Sequence, residues 1–89
     1  MTNNKFYQLI RRPQVIALTA RSKSSLHLDE KAGDFCPPIS IGLRAKAYIL
    51  SEVEAIIQAR IEGQTPTQIK SLVADLIQQR NKVAQGRHG

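Results

Sequence analysis

The chain has 89 residues with a formal net charge of +6, one cysteine and no tryptophan. This length suits one domain and is too short for two. A single cysteine excludes an internal disulfide, which fits a reducing cytoplasm. No apolar run reaches the roughly 18 residues of a membrane span, and the amino-terminal segment lacks the pattern of a signal peptide. We therefore expect a cytoplasmic domain that does not act at a membrane.

The positive charge is concentrated near the amino terminus. Residues 1–23 contain five basic and no acidic residues, whereas residues 24–50 are neutral and residues 51–89 carry +1. A wholly basic end favours the phosphate backbone of a nucleic acid as partner. The alternative interpretation is a surface that is charged only for solubility.

Four apolar residues precede the first predicted helix, and their spacing fits neither a helix nor a strand clearly. They are Phe6, Tyr7, Leu9 and Ile10. A short strand and an apolar lead-in to the helix both remain open here.

Residues 12–33 predict two short helices joined by a tight turn. Pro13 suits the first turn of a helix, where its missing N–H is not needed. One side of about two turns is then apolar, formed by Val15, Ile16 and Leu18. Ser22 predicts the N-cap of a second helix over 23–32, which Gly33 ends. This pattern is typical of a helix-turn-helix, whose second helix enters the major groove of DNA; an ordinary helical corner is the alternative.

The second helix contains two leucines that cannot both face the core. Leu26 and Leu28 are two residues apart, so they point to nearly opposite sides of a helix. We expect Leu26 inside, because it lies close to the turn. Leu28 would then be exposed, against DNA, a partner or the next segment of the chain. The acidic residues Asp29, Glu30 and Asp34 are expected to be solvated charges.

The chain after Gly33 predicts a small hairpin. Pro37-Pro38 disfavours helix, and Ile39-Ser40-Ile41 alternates as a strand does. Residues 42–44 then predict the turn and 47–50 the returning strand. A hairpin directly after such a second helix occupies the place of the wing in a winged-helix domain. Its basic residues would contact phosphates or the minor groove; a solvated hairpin tip is the alternative.

A third helix is predicted from Ser51 to Gly63. Ser51 and Glu54 have the spacing of a capping box, and Gly63 suits the end of the helix. The apolar residues at helical spacing predict a core-facing stripe of Val53, Ile56, Ile57 and Ile61.

A long fourth helix is predicted over residues 66–84. Thr65 and Gln68 form a second capping-box pattern, with Pro66 at the first helical position. Its apolar stripe consists of Ile69, Leu72, Val73, Leu76 and Ile77. Its polar side consists of Lys70, Gln78, Arg80 and Lys82. Either the chain's own core or the same helix of a second molecule must cover the stripe, so the five apolar residues are candidate oligomerisation residues.

Several motifs together resemble a known family. GLRAKAY at residues 42–48 is followed by SEV at 51–53, and GDFCPP at 33–38 lies ahead of both. Residues 9–11 and the VIALT of 15–19 match the family's lead-in and first helix. Over residues 9–62 the chain resembles the AlpA family of small prophage regulators and excisionases, which have a MerR-like winged-helix fold.

The chain departs from the family pattern at a few positions. Tyr48 stands where the family has tryptophan, and Cys36 replaces a proline. Asp29 and Glu30 lie where the family usually has apolar residues, and Leu28 lies where it often has arginine.

The fold class that follows is mainly α. It comprises a winged helix-turn-helix over residues 1–63, a carboxyl-terminal amphipathic helix over 64–85 and a disordered tail over 86–89. The helix would belong to the same domain or to a dimer interface.

The predicted function is sequence-specific binding of double-stranded DNA by a transcriptional regulator or excisionase of a prophage. The residues predicted to read bases are Lys23, Ser24, Ser25 and His27. Those predicted to bind phosphates are Arg11, Arg12, Arg21, Arg44 and Lys46. A homodimer, and an integrase in the excisionase case, are further predicted partners. The alternative is a protein-interaction module that acts through the last helix, with DNA binding incidental.

Enzymatic function is not expected. The chain has two histidines and one cysteine, and it contains no glycine-rich phosphate loop. We therefore expect no catalytic residues, no metal site and no cofactor.

Overall fold

A computed structural model describes residues 7–86, and the side-chain surroundings of residues 7–81 within them. The elements in chain order are β1 (Leu9–Ile10), α1 (Arg12–Thr19), α2 (Lys23–Ala32), β2 (Ile39–Gly42), β3 (Ala45–Ile49), α3 (Leu50–Ile61) and α4 (Pro66–Gly86). The strands form one antiparallel sheet in the order β1-β3-β2. The predicted mainly α, winged-helix architecture is confirmed.

Helices α1 and α2 are joined by a tight turn, as predicted. Ala20 ends α1 in the left-handed conformation with φ 60°, and its N–H donates to the carbonyl of Ile16 at 3.0 Å. Ser22 caps α2, because its hydroxyl oxygen accepts from the backbone N–H of Ser25 at 3.1 Å. Gly33 ends α2 with φ 84°, a conformation that costs glycine little.

Leu26 occupies the core side of α2. Its side chain is fully buried, whereas Leu28 is 64% exposed. The prediction that Leu26 is the inner leucine is therefore confirmed.

The segment before α1 forms a strand, which decides between the two alternatives left open by the sequence. Leu9 pairs with Ile49 and Ile10 with Tyr48. Phe6 lies outside the described residues. Because only Arg11 separates β1 from α1, this pairing places the start of α1 beside the hairpin.

The hairpin has slightly different bounds from those predicted. Its turn consists of Leu43 and Arg44, and β3 begins at Ala45 rather than at residue 47. Arg44 has φ 62°, the left-handed conformation that a tight turn needs. Leu50, predicted as the end of the strand, is the first residue of α3.

The predicted capping box of α3 is wrong. Ile49 is the N-cap and makes no side-chain capping bond, so Ser51 lies inside the first turn. The sheet replaces the cap, because the N–H of Leu50 donates to the carbonyl of Gln8 beside β1 at 2.8 Å. The predicted core stripe is also shorter than expected, since Ile61 is 75% exposed.

Helix α4 belongs to the same core as the rest of the chain. Its predicted capping box is present: the N–H of Gln68 donates to Thr65 Oγ1 at 3.2 Å, and the N–H of Thr65 donates to Gln68 Oε1 at 2.8 Å. Ile69 and Val73 are buried in the core. The remaining apolar residues of its stripe are half-buried against that core: Leu72, Leu76 and Ile77. Of the tail predicted over 86–89, Gly86 ends α4 and residues 87–89 lie outside the described part.

Candidate nucleic-acid interface

Helix α2 exposes one continuous face. Its exposed residues include positions i, i+1, i+4, i+5 and i+8, which share one side of a helix. This open face of α2 consists of Lys23, Ser24, His27, Leu28 and Lys31. It lies away from Leu26, and Lys23 and Ser24 in the first turn are exposed within the described part of the chain.

Three of the four residues predicted to read bases lie on the open face. The fourth, Ser25, is half-buried, and its hydroxyl oxygen accepts a hydrogen bond from the Ser22 hydroxyl at 2.9 Å. The set predicted to read bases did not include Leu28 or Lys31, although the outer leucine of α2 was expected to be exposed. Helical spacing would have added both once Leu26 was assigned to the core.

Four of the five residues predicted to bind phosphates lie around a single concavity. It has a volume of about 550 Å³ and lies between the start of α1 and the hairpin. Its lining residues are Arg11, Arg12, Pro13, Arg44 and Lys46. This basic concavity exists because β1 pairs with β3, which holds the start of α1 against the hairpin.

The fifth predicted phosphate residue, Arg21, lies on another side of α2. Its guanidinium donates to both carboxylate oxygens of Asp29, at 3.0 and 2.9 Å. Arg60 approaches the same carboxylate at 3.7 Å. The hydrogen bond and the charge of Asp29 raise the pKa of Arg21. The prediction that Asp29 is a solvated charge is therefore wrong.

Glu30 links α2 to the sheet and to α1. Its carboxylate accepts a hydrogen bond from the Tyr48 hydroxyl and lies 3.7 Å from the guanidinium of Arg12. That guanidinium also lies over the Tyr48 ring, 5.7 Å from the centroid. Burial, and then the hydrogen bond to Glu30, raise the pKa of Tyr48. Arg12 thus places the basic concavity directly beside α2.

None of the three acidic residues predicted to be solvated is unpaired. Asp34 forms an ion pair with Lys70 of α4. Asp29 and Glu30 lie at the two flanks of α2, and arginines offset both charges. The open face of α2, which contains two lysines and no acidic residue, therefore stays positive.

Residues 8–61 match the family model described as prophage CP4-57 regulatory protein (AlpA), which is more than half of the chain. The chain belongs to the AlpA family. The resemblance inferred from the motifs is thereby confirmed, and the family is one of prophage regulators. No curated protein and no solved structure matches the chain significantly.

The family match of this AlpA-family chain runs from β1 to the end of α3, so α4 lies beyond it. A buried ion pair attaches α4 to the matched part. Arg80 donates to both oxygens of Glu52, at 2.8 and 2.5 Å, and to the carbonyl of Pro37 at 2.8 Å. Glu52 is only 6% exposed. Arg80 was predicted on the polar side of α4, and that prediction is wrong.

Cys36 of the AlpA-family chain lies beside this ion pair. It is 2% exposed and packs in the core as a small apolar residue. Burial, and then the charge of Glu52, raise the pKa of its thiol to about 12. The thiol therefore stays protonated near neutral pH, where only a thiolate would be reactive.

Two further observations concern the described part of the chain. Among residues 7–86, no helix is long and apolar enough to cross a bilayer. Within the same range, no three residues of the metal-ligating types are grouped closely enough to hold an ion.

Proposed function

We propose that this chain binds double-stranded DNA sequence-specifically, with α2 in the major groove and the β2–β3 hairpin as a wing on the backbone. The observation that carries this proposal is the placement of the basic concavity directly beside the open face of α2. A groove that accepts a helix is bordered by phosphates, so a reading face needs a basic surface at its edge. Membership of a prophage regulatory family supports the same function.

The residues divide into two roles under this proposal. Lys23, Ser24 and His27 would meet base edges, because they lie exposed on the leading part of α2. Ser25 would contribute from the edge of that face. The phosphate-binding group would be Arg11, Arg12, Arg44 and Lys46, joined by Arg21 on the opposite flank. Arg21 is the most constrained of these, because Asp29 already binds its guanidinium.

The regulatory outcome would be control of transcription or assistance to an integrase during excision of the prophage. Neither role needs catalytic residues, a metal or a cofactor. An excision reaction with purified integrase, run with and without this protein, distinguishes the two outcomes. Stimulated excision supports the excisionase role, and an unchanged rate leaves transcriptional control as the function.

The binding proposal is tested first by selecting bound duplexes from a random pool. We expect a defined sequence to emerge, and its absence would contradict sequence-specific recognition. An inverted repeat would indicate a two-fold symmetric complex.

Two substitutions then separate base reading from phosphate binding. Lys23→Ala should reduce the preference for the selected duplex over a scrambled one, on the order of 5- to 100-fold, because it removes a base contact. Arg44→Ala should weaken binding to both duplexes alike and lower the salt slope by about one. Lys70→Ala on α4 is the matched control and should change neither quantity. Equal losses on both duplexes for Lys23→Ala would refute its role in base reading.

A homodimer through α4 is the second proposal, with the less buried part of its apolar stripe as the interface. Ile69 and Val73 are already buried in the chain's own core. The half-buried Leu72, Leu76 and Ile77 remain available to a second molecule. The molar mass of the full chain in solution, measured with and without Leu76→Glu, tests this interface. A monomeric wild-type protein would contradict it.

A further inference from the structure

We propose that Leu28 reads the C5 methyl group of a pyrimidine, a thymine in ordinary DNA, in the major groove. The inference rests on the proposed DNA binding and deepens it by naming one chemical group of the target. It adds an apolar contact to the polar residues already assigned to base reading.

Leu28 is the large apolar residue of the open face, whose other residues are polar. It is 64% exposed, and it lies on the open face of α2 between Ser24 and Lys31. On the core side of the helix, Leu26 is fully buried and packs in the hydrophobic core. Leu28 therefore adds little to folding stability in the isolated chain, because most of its apolar surface stays in water.

The surroundings of Leu28 favour DNA over a protein as its partner. The open face carries Lys23 and Lys31 and no acidic residue. The basic concavity adjoins it across the Arg12–Glu30 contact. An exposed apolar side chain on a helix face whose charged residues are all positive matches a surface that is polyanionic at its edges and has an apolar group within.

The major groove offers an exposed leucine one apolar group. Base edges there present hydrogen-bond donors and acceptors, apart from the C5 methyl group of thymine. Packing leucine against a polar edge would leave that edge desolvated without a partner, which is unfavourable. The same methyl group occurs at the same position in 5-methylcytosine. Leu28 should therefore respond to the methyl group itself rather than to the identity of the base pair.

The helix geometry predicts how far the methyl group lies from the base that Lys23 contacts. Leu28 follows Lys23 by five positions, which is about 7.5 Å along the helix axis. Base pairs are spaced at about 3.4 Å, so the methyl group should lie about two base pairs from the base that Lys23 contacts.

The test uses the duplex recovered from the random pool, with each thymine replaced in turn by deoxyuridine, which lacks the methyl group. We expect a thymine position, repeated once if the selected sequence is an inverted repeat, at which wild-type affinity falls by about three- to tenfold. Leu28→Ala should bind the thymine and deoxyuridine duplexes equally well at that position. Leu18→Ala, which alters an exposed leucine of α1 instead of α2, should retain the wild-type sensitivity.

A second substitution in the DNA isolates the methyl group from the base pair. At the sensitive position, a C·G pair should bind weakly, and 5-methylcytosine should restore part of the loss for the wild-type protein but not for Leu28→Ala. Circular dichroism confirms that the variants are folded.

The outcomes separate this inference from the function on which it rests. If no sequence is selected at all, both fail. If a sequence is selected but no thymine is sensitive, or if Leu28→Ala keeps the sensitivity, the methyl contact alone is wrong. A change in the solution mass of Leu28→Ala with unaltered DNA binding would assign Leu28 to a protein interface and would likewise overturn the inference.

Discussion

The surroundings of Cys36 raise the pKa of its thiol strongly. The thiol lies within the core beside the carboxylate of Glu52, and both burial and that charge disfavour its ionised form. The folded protein therefore holds the thiol proton far more tightly than the unfolded chain does. This difference makes the free energy of unfolding depend on pH.

Stability should decrease above about pH 9. The pKa of Cys36 is raised from 9.0 to about 12, so its contribution is complete below pH 9 and is lost as the pH rises towards 12. The decrease should be at most about 1.4 kcal/mol per pH unit. Urea unfolding from pH 8 to 10 measures it, and Cys36→Ala should show a shallower decline over that range.

Tyr48→Phe provides the control for this prediction. The tyrosine pKa is also raised by folding, but an unfolded tyrosine ionises only near pH 10. The decline between pH 9 and 10 should therefore persist in Tyr48→Phe. Identical slopes in Cys36→Ala and the wild-type protein would show that the thiol does not contribute.

Among the elements, some helix ends are fixed by bonds within a few residues of chain, and the start of α3 is fixed by a contact across the sheet. Ser22, Gly33 and Thr65 act where their residue types predict, because each makes its bond or adopts its φ within a few residues of chain. Ser51 has the same local signal and does not cap, because β3 leads directly into α3 and Gln8 accepts the N–H of Leu50. A pairing across the sheet replaced a local cap.

The cap of α2 can be tested by two neighbouring serines. Ser22→Ala removes the acceptor for the Ser25 N–H and should lower the free energy of unfolding by about 1 kcal/mol. Ser24→Ala, on the exposed face of the same helix, should change it by less than about 0.5 kcal/mol. Denaturant unfolding at one pH compares the two. Equal effects would mean that the Ser22 hydroxyl does not stabilise the helix.

At the scale of the whole molecule, α4 completes the core and is attached to the rest by the Glu52–Arg80 pair. The pair joins α3 and α4, and the bond to the carbonyl of Pro37 adds the segment between α2 and β2. Ile69 and Val73 fill the same core. Removing α4 would expose the core and leave Glu52 unpaired, so we use point substitutions rather than truncation to probe this helix.

Arg80→Ala should destabilise the protein by about 3 kcal/mol, because it leaves a buried carboxylate without its partner. Lys70→Ala removes the more exposed ion pair with Asp34 and should cost less than about 1 kcal/mol. Thermal or urea unfolding of both variants provides the comparison. The double variant Glu52→Leu/Arg80→Leu should recover much of the loss. A loss for Arg80→Ala no larger than that for Lys70→Ala would contradict the role of the buried pair.

The four helices, the hairpin, the inner leucine of α2 and the family could all be predicted from residue types, because each depends on periodicity, turn residues or motif order within a short stretch. The partners of the charged residues could not be predicted in this way. Asp29, Glu30 and Glu52 look alike in the sequence, yet Arg21, Arg12 and Arg80 bind them. These pairings join residues from 8 to 28 positions apart along the chain, and the basic concavity likewise joins separate segments. Local patterns carry no information about which elements will pack together.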